Sequence, residues 1–247
     1  MSPFNKLLRL QPARVFLHRN KDVRTALAEC RTFLRESISK PTKCTALVSA
    51  WPDYVGITDA SSYGAGGIIL GESKSAPLTV FRVQWPQDIT DAVVSATNPT
   101  GTITNNDLEM AGLLLLWLVI SHVALFSDNT PTVSWVQRMA AKHSDVAMQL
   151  LRALALRLQL AKTSPLTPLH IAGIDNKMAD IASRSFGSEN KWHCTSDTEL
   201  THLFTTTFPP PPQTSWNVFH HSSAIVMRVI SALRMQASST DEWRRLP

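Results

Sequence analysis

An α/β architecture is expected from three features of this sequence. Between Tyr54 and Arg184, short β-prone runs alternate with segments of helical apolar spacing. Five of the nine glycines (Gly56, Gly64, Gly66, Gly67 and Gly71) crowd into sixteen residues, which suits a tight hairpin. Hydrophobic residues make up 44% of the 247 and charged ones only 17%, which excludes a largely disordered chain and allows a sizeable core.

Residues 1–48 read as a basic helical arm. Val23, Ala26, Leu27, Cys30, Leu34 and Ile38 fall at helical spacing, with Arg24, Arg31 and Arg35 on other faces; Pro41 ends the run. Cys30 lies in the apolar stripe and is expected as a core thiol. Residues 49–187 carry the alternation. A first strand over 54–58 ends at Asp59, the glycines turn it into a second over 67–70, and a third follows around 78–85. Asn106 opens a helix reaching Ile120, and Val123–Ser127 is a fourth strand ending at Asp128. Pro131 starts a helix to about Lys142, and Ser144 caps a long one over 145–162. Residues 166–172 read as a fifth strand, and Asn176 caps a last helix carrying Asp180. Residues 188–247 read as a proline-rich linker and helical tail. Pro209 to Pro212 suit a stiff spacer, and Ile225, Met227, Val229, Ile230 and Leu233 suit one more helix.

Charge is unevenly spread. The net charge is +5, yet residues 1–45 alone hold ten basic residues against three acidic ones. Residues 46–186 hold nine basic and eleven acidic. An exposed basic arm suits a phosphate backbone, and it equally suits a solvated helix face. Three scattered cysteines, Cys30, Cys44 and Cys194, make neither a disulfide framework nor a zinc cage. With no apolar leader, an intracellular setting, cytoplasm or nucleus, is expected. The apolar run 111–120 is too short to span a bilayer, so no membrane partner is expected. Ile69 stands where a dinucleotide fingerprint needs its third glycine, and there is no P-loop.

Several acids sit where acids are costly. Strand parity puts Asp59 on the face of Val55 and Ile57, and Asp128 on that of Ala124 and Phe126, each at a strand end, where open α/β sheets gather their sites. Glu109 shares a helical line with Leu113, Leu116 and Ile120, a position costing several kcal/mol for an unpaired carboxylate. Each has a structural alternative: a turn at Asp59, a capping box from Asn106 to Glu109, a helix cap at Asp128, an ion pair from Asp180 to Arg184. Together the four suggest a site for a hard cation.

Four segments then carry a resemblance: Ile57-Thr58-Asp59-Ala60-Ser61; Thr104-Asn105-Asn106-Asp107-Leu108-Glu109; Phe126-Ser127-Asp128-Asn129; and the stretch from His170 through Gly173-Ile174-Asp175-Asn176 and Asp180 to Ser183-Arg184. In order, over residues 50–187, they resemble the ribonuclease H domain of retrotransposon reverse transcriptases. The resemblance implies a ribonuclease H-like fold, a mixed five-stranded sheet with antiparallel first to third strands and parallel fourth and fifth, flanked by helices. It implies an endonuclease that hydrolyses the RNA strand of RNA/DNA hybrids with two Mg²⁺ ions, or Mn²⁺. Asp59 would bridge the two ions, Asp180 would help hold the one that activates water, and Glu109 and Asp128 the one facing the leaving oxygen. Ser61, Ser62, Asn129 and His170 are candidate contacts to the hybrid, the first three toward 2′-hydroxyls, though turn capping and strand packing would also account for them.

The chain departs from that family in places. Cellular members carry a mobile histidine in a longer loop after the last strand, where this chain has only Gly173-Ile174-Asp175. They also carry a basic protrusion, where this chain has Ala141-Lys142-His143-Ser144. Neither Tyr54 nor Tyr63 precedes the paired aspartates of a polymerase, so a polymerase domain absent from this chain is the expected partner. The arm resembles a polymerase connection, and the whole reads as part or relic of a retroelement polyprotein. An exonuclease of the same superfold would have Glu where Ser61 stands, and an integrase would end on Glu where Asp180 stands. The remaining alternative is a non-catalytic module that binds nucleic acid or a polymerase.

Overall fold

A computed structural model describes residues 21–39, 52–71, 76–120, 123–161 and 167–236. Helix α1 (Lys21–Ser39) precedes a meander of β1 (Tyr54–Ala60), β2 (Gly64–Gly71) and β3 (Leu78–Gln84). Short α2 (Gln87–Asp91) leads to α3 (Asn105–Val119), β4 (Val123–Ser127), α4 (Thr130–Arg138) and α5 (Asp145–Ala161). Then come β5 (Leu169–His170), α6 (Lys177–Arg184), α7 (Asp197–Thr207), β6 (Trp216–Phe219) and α8 (Ser223–Leu233).

The strands form one mixed sheet in the order β5-β4-β1-β2-β3-β6. β1, β2 and β3 pair antiparallel, with Asp59 opposite Gly66 and Gly67 opposite Phe81. β4 runs parallel to β1, and β5 parallel to β4. The expected count of five strands is corrected to six, because β6 pairs in parallel with the outer edge of β3. Trp216 explains the addition. Its ring is buried with Ile68, Val80 and Phe204, so the apolar side chain draws a four-residue strand onto an edge that would otherwise stay open.

Alternation along the strands feeds two cores. Ala65 and Ile69 of β2 and Phe81 and Val83 of β3 face α3, α5 and α8; Ile68 and Val80 face α6 and α7. The sheet is thus covered by helices on both faces. Helix α3 is buried from Asp107 to Trp117, which suits a segment apolar on all sides. It starts earlier than expected: Thr104 is its N-cap, in a reciprocal capping box with Asp107. Helix α4 stops at Arg138 because Met139 takes the left-handed conformation (φ 47°).

Helix α1 is amphipathic as expected, but only part of its stripe is covered. Val23 and Ala26 are buried and Phe33 packs on the core, whereas Leu34 is 62% and Ile38 81% exposed. Cys30 is exposed, which corrects its expected place in the core. The fifth strand is also shorter than expected, with only Leu169 and His170 paired and both exposed at the sheet edge. The remainder of the arm, including Pro41, and Leu166 lie outside the described residues. Among the described residues no helix is long and apolar enough to cross a membrane.

Candidate metal centre

Three elements bring three carboxylates together. Asp59 sits near the end of β1 and is 5% exposed. Asp128 follows the last residue of β4, which the parallel pairing sets beside β1. Glu109 comes from the start of α3, which packs across β1, and is 3% exposed. One oxygen from each of the three lies within 4.8 Å of the others.

Asp180 lines the same cleft but stands outside that group of three. Its carboxylate accepts a hydrogen bond from Nε of Arg184, the i,i+4 pair foreseen in the sequence. The cleft measures about 480 Å³ and is also lined by Ser61, Ser62, Asn129 and the segment Val93-Val94-Ser95.

The electrostatics are those of acids short of cations. Burial pushes the Asp59 carboxyl up to about 7; the Ser183 hydroxyl and Arg184 oppose this, while Asp180 and Asp128 reinforce it. Burial, then Asp59 and Asp128, raise Glu109 well above the ordinary carboxyl range, against the pull of the Ala60 amide. Oε2 of Glu109 is buried with no hydrogen-bond partner. An orphaned buried oxygen costs about 1–3 kcal/mol, more for a charged group, unless something fills its lone pairs. Hard carboxylate oxygens without soft ligands fit Mg²⁺, Mn²⁺ or Ca²⁺. The residues present therefore fit a divalent cation held by Asp59, Glu109 and Asp128, and the donor set leaves open which of these it is.

The structural alternatives resolve unevenly. Glu109 takes no part in the capping box, which belongs to Thr104 and Asp107. Asp128 does not cap α4; Asn129 does, its Oδ1 accepting from the Thr132 amide at 2.9 Å while its Nδ2 donates to Asn106. Ser61 is buried and donates to the Ser183 carbonyl at 2.9 Å. Ser62 is exposed at the cleft rim. His170 is exposed rather than packed, its Nε2 lying 3.2 Å from the Asp128 backbone oxygen.

Two residues take parts that the sequence reading did not give them. Ser183, fully buried, donates to Oδ2 of Asp59 at 2.5 Å. Asn176 occupies the N-cap position of α6 without capping it, donating instead to the Thr58 carbonyl at 3.2 Å. The available signal was helical spacing, since Asn176, Asp180 and Ser183 share one face of α6. Compared with known proteins, the chain matches no family model, no curated protein and no solved structure.

Proposed function

We propose that this chain is a divalent-cation-dependent nuclease of the ribonuclease H type, hydrolysing the RNA strand of RNA/DNA hybrids as part or relic of a retroelement reverse transcriptase. The observation that carries the proposal is the convergence of Asp59, Glu109 and Asp128 from three elements, with a buried Glu109 oxygen left open. The antiparallel β1–β3 meander flanked by parallel β4 and β5 supports the ribonuclease H-like reading, with β6 an addition to it.

In this reading Asp59, Glu109 and Asp128 would hold one cation, and Asp180 would help to hold a second. Bound cations supply the charge that polarises the phosphoryl group and makes water acidic enough to attack. The P–O bond to the 3′-oxygen breaks as the bond from water forms, leaving a 5′-phosphate and a 3′-hydroxyl. Ser62 and Asn129 stand at the cleft where a minor-groove 2′-hydroxyl would reach. Arg184 supplies the cleft's cationic side chain, suited to a substrate phosphate.

Cleavage of a labelled hybrid with Mg²⁺, beside an all-DNA duplex, tests this. Asp128→Asn is expected to lose more than about 100-fold in RNA-strand cleavage, since even the outer partners of metal ligands are worth 10–100-fold. One observation favours a second reading. Asp180 is paired to Arg184 and apart from the other three acids, as suits a module that holds one cation and binds hybrid or a polymerase without cutting. Saturable hybrid binding by folded protein without cleavage would select that reading.

A further inference from the structure

We infer that Ser183 is a positioning residue for the centre, its hydroxyl fixing the Asp59 carboxylate in the orientation that a cation requires. This rests on the reading of Asp59, Glu109 and Asp128 as cation ligands.

Among the described residues Ser183 is the hydrogen-bond donor to the Asp59 side chain, reaching Oδ2 at 2.5 Å. A serine hydroxyl has one proton to give. The Asp180 carbonyl, at 3.0 Å, is the longer and uncharged alternative, so the carboxylate takes the proton. With one lone pair of Oδ2 committed, the carboxylate is held in one orientation and its other acceptor positions are left for ligands. A carboxylate on a strand end can otherwise rotate about its terminal torsion, which is broad.

The backbone of Ser183 is itself held at two points. Gly66 lies opposite Asp59 in the β1–β2 register, and a Cβ there would come within 2.3 Å of the Ser183 amide nitrogen. The missing side chain lets α6 lie directly on β2, close enough for a short serine side chain to reach Asp59. The Ser61 hydroxyl secures the Ser183 carbonyl at 2.9 Å.

The same helix end offers an internal comparison. Ser185 is equally buried and donates to the Ala182 carbonyl at 2.8 Å, but it touches no carboxylate of the site. Arg82 donates to its hydroxyl instead. Both serines secure the end of α6, and only one reaches the site.

The test is calorimetric titration of Mg²⁺, and separately Mn²⁺, into the full chain, with folding checked by circular dichroism. Ser183→Ala and Ser183→Cys, the second keeping the volume with a weak donor, are expected to bind the cation about 10–100-fold more weakly. Ser183→Thr returns the hydroxyl and is expected within about threefold of the parent, as is Ser185→Ala. Parent-like binding by folded Ser183→Ala or Ser183→Cys overturns the inference. So does an equal loss in Ser185→Ala, which would assign the effect to a loosened helix. No saturable binding by the unsubstituted chain overturns the cation reading as well, whereas tight parental binding with unaffected Ser183 variants overturns the positioning role alone.

Discussion

Oxygens from three carboxylates within 4.8 Å of one another repel, and burial strengthens the repulsion. Without a cation the centre is eased by binding protons: burial first, and the neighbouring acids second, raise Asp59 from 3.8 to about 7 and move Glu109 the same way. The sign follows from linkage. Between the unfolded and folded values the native chain binds more protons than the unfolded one, so these groups favour folding at low pH and lose that contribution as pH rises toward about 7. In chelator, the urea stability of the parent relative to Asp59→Asn should therefore fall from about pH 4 to pH 7; Mg²⁺ should recover stability increasingly as pH rises. A difference independent of pH would refute the assignment of strain to this cluster. Gly173 allows a gentler test of the same site. A Cβ there would lie 3.2 Å from Oδ2 of Asp128, and its φ is not in the left-handed region. Gly173→Ala should thus leave urea stability within about 1 kcal/mol, because the backbone tolerates it. It should weaken Mg²⁺ binding measurably in calorimetry, because the carboxylate must shift. Unchanged affinity would mean that Asp128 has room to spare.

Elements set these residues in place, and α6 lies directly against β2. A Cβ on Gly66 would meet the Ser183 nitrogen at 2.3 Å and the Ala182 carbonyl carbon at 2.6 Å, both backbone atoms with no rotamer to escape into. Gly66→Ala should cost stability at or above the upper end of roughly 1–3 kcal/mol and weaken cation binding, read from urea midpoints and calorimetry. An unchanged midpoint would show that α6 can slide. A second junction, between β6 and α8, is held by His221. Its Nε2 lies 3.1 Å from the Leu115 carbonyl, its ring packs edge-on against Phe81, and Nδ1 is buried without a partner. Burial lowers its pKa from 6.5. The unfolded chain therefore binds the extra proton first, and stability is lost as pH falls through and below 6.5. Moving from about pH 7.5 to 5, the parent should lose more than His221→Gln; equal losses would remove the role given to His221. Much of this layer was legible. Asp59 and Asp128 followed from strand parity, and Glu109 from a carboxylate on a line of leucines. Ser183 was harder to read: it shares a helical face with Asp180, but a serine at a helix end ordinarily bonds the helix backbone, as Ser185 does. Thr104 as the cap of α3 was within reach, since Thr104 and Asp107 have capping-box spacing.

At the scale of the molecule, and except for the short α2, which was not expected, the order of elements from β1 to α6 followed from periodicity and turn residues. The part played by residues after 187 did not. A four-residue strand is too short for its alternation to be read, and the prolines before it resemble a spacer until Trp216 is seen to close the second core. The exposure of Cys30 escaped for a related reason, because an apolar stripe does not say how much of it a neighbour will cover. The continuation has an energetic consequence. Helix α8 buries Ile225, Val229, Ile230 and Leu233 against α3 and α5, in the same core as the helix that carries Glu109. At roughly 1.5–3 kcal/mol for each such side chain, their loss rivals the whole stability of an ordinary domain, about 5–15 kcal/mol. Removing β6 would also strip the outer partner from β3, leaving it paired with β2 alone. A chain ending at residue 187 keeps all four acids and should nevertheless lose its cooperative urea transition and bind a hydrophobic dye, while the full chain unfolds in one step. Mg²⁺ affinity should fall with the fold, because Glu109 is aimed by a helix whose far side is then bare. A truncated chain that unfolds cooperatively and binds Mg²⁺ like the full one would make α8 and β6 an accessory rather than a wall of the site's own core.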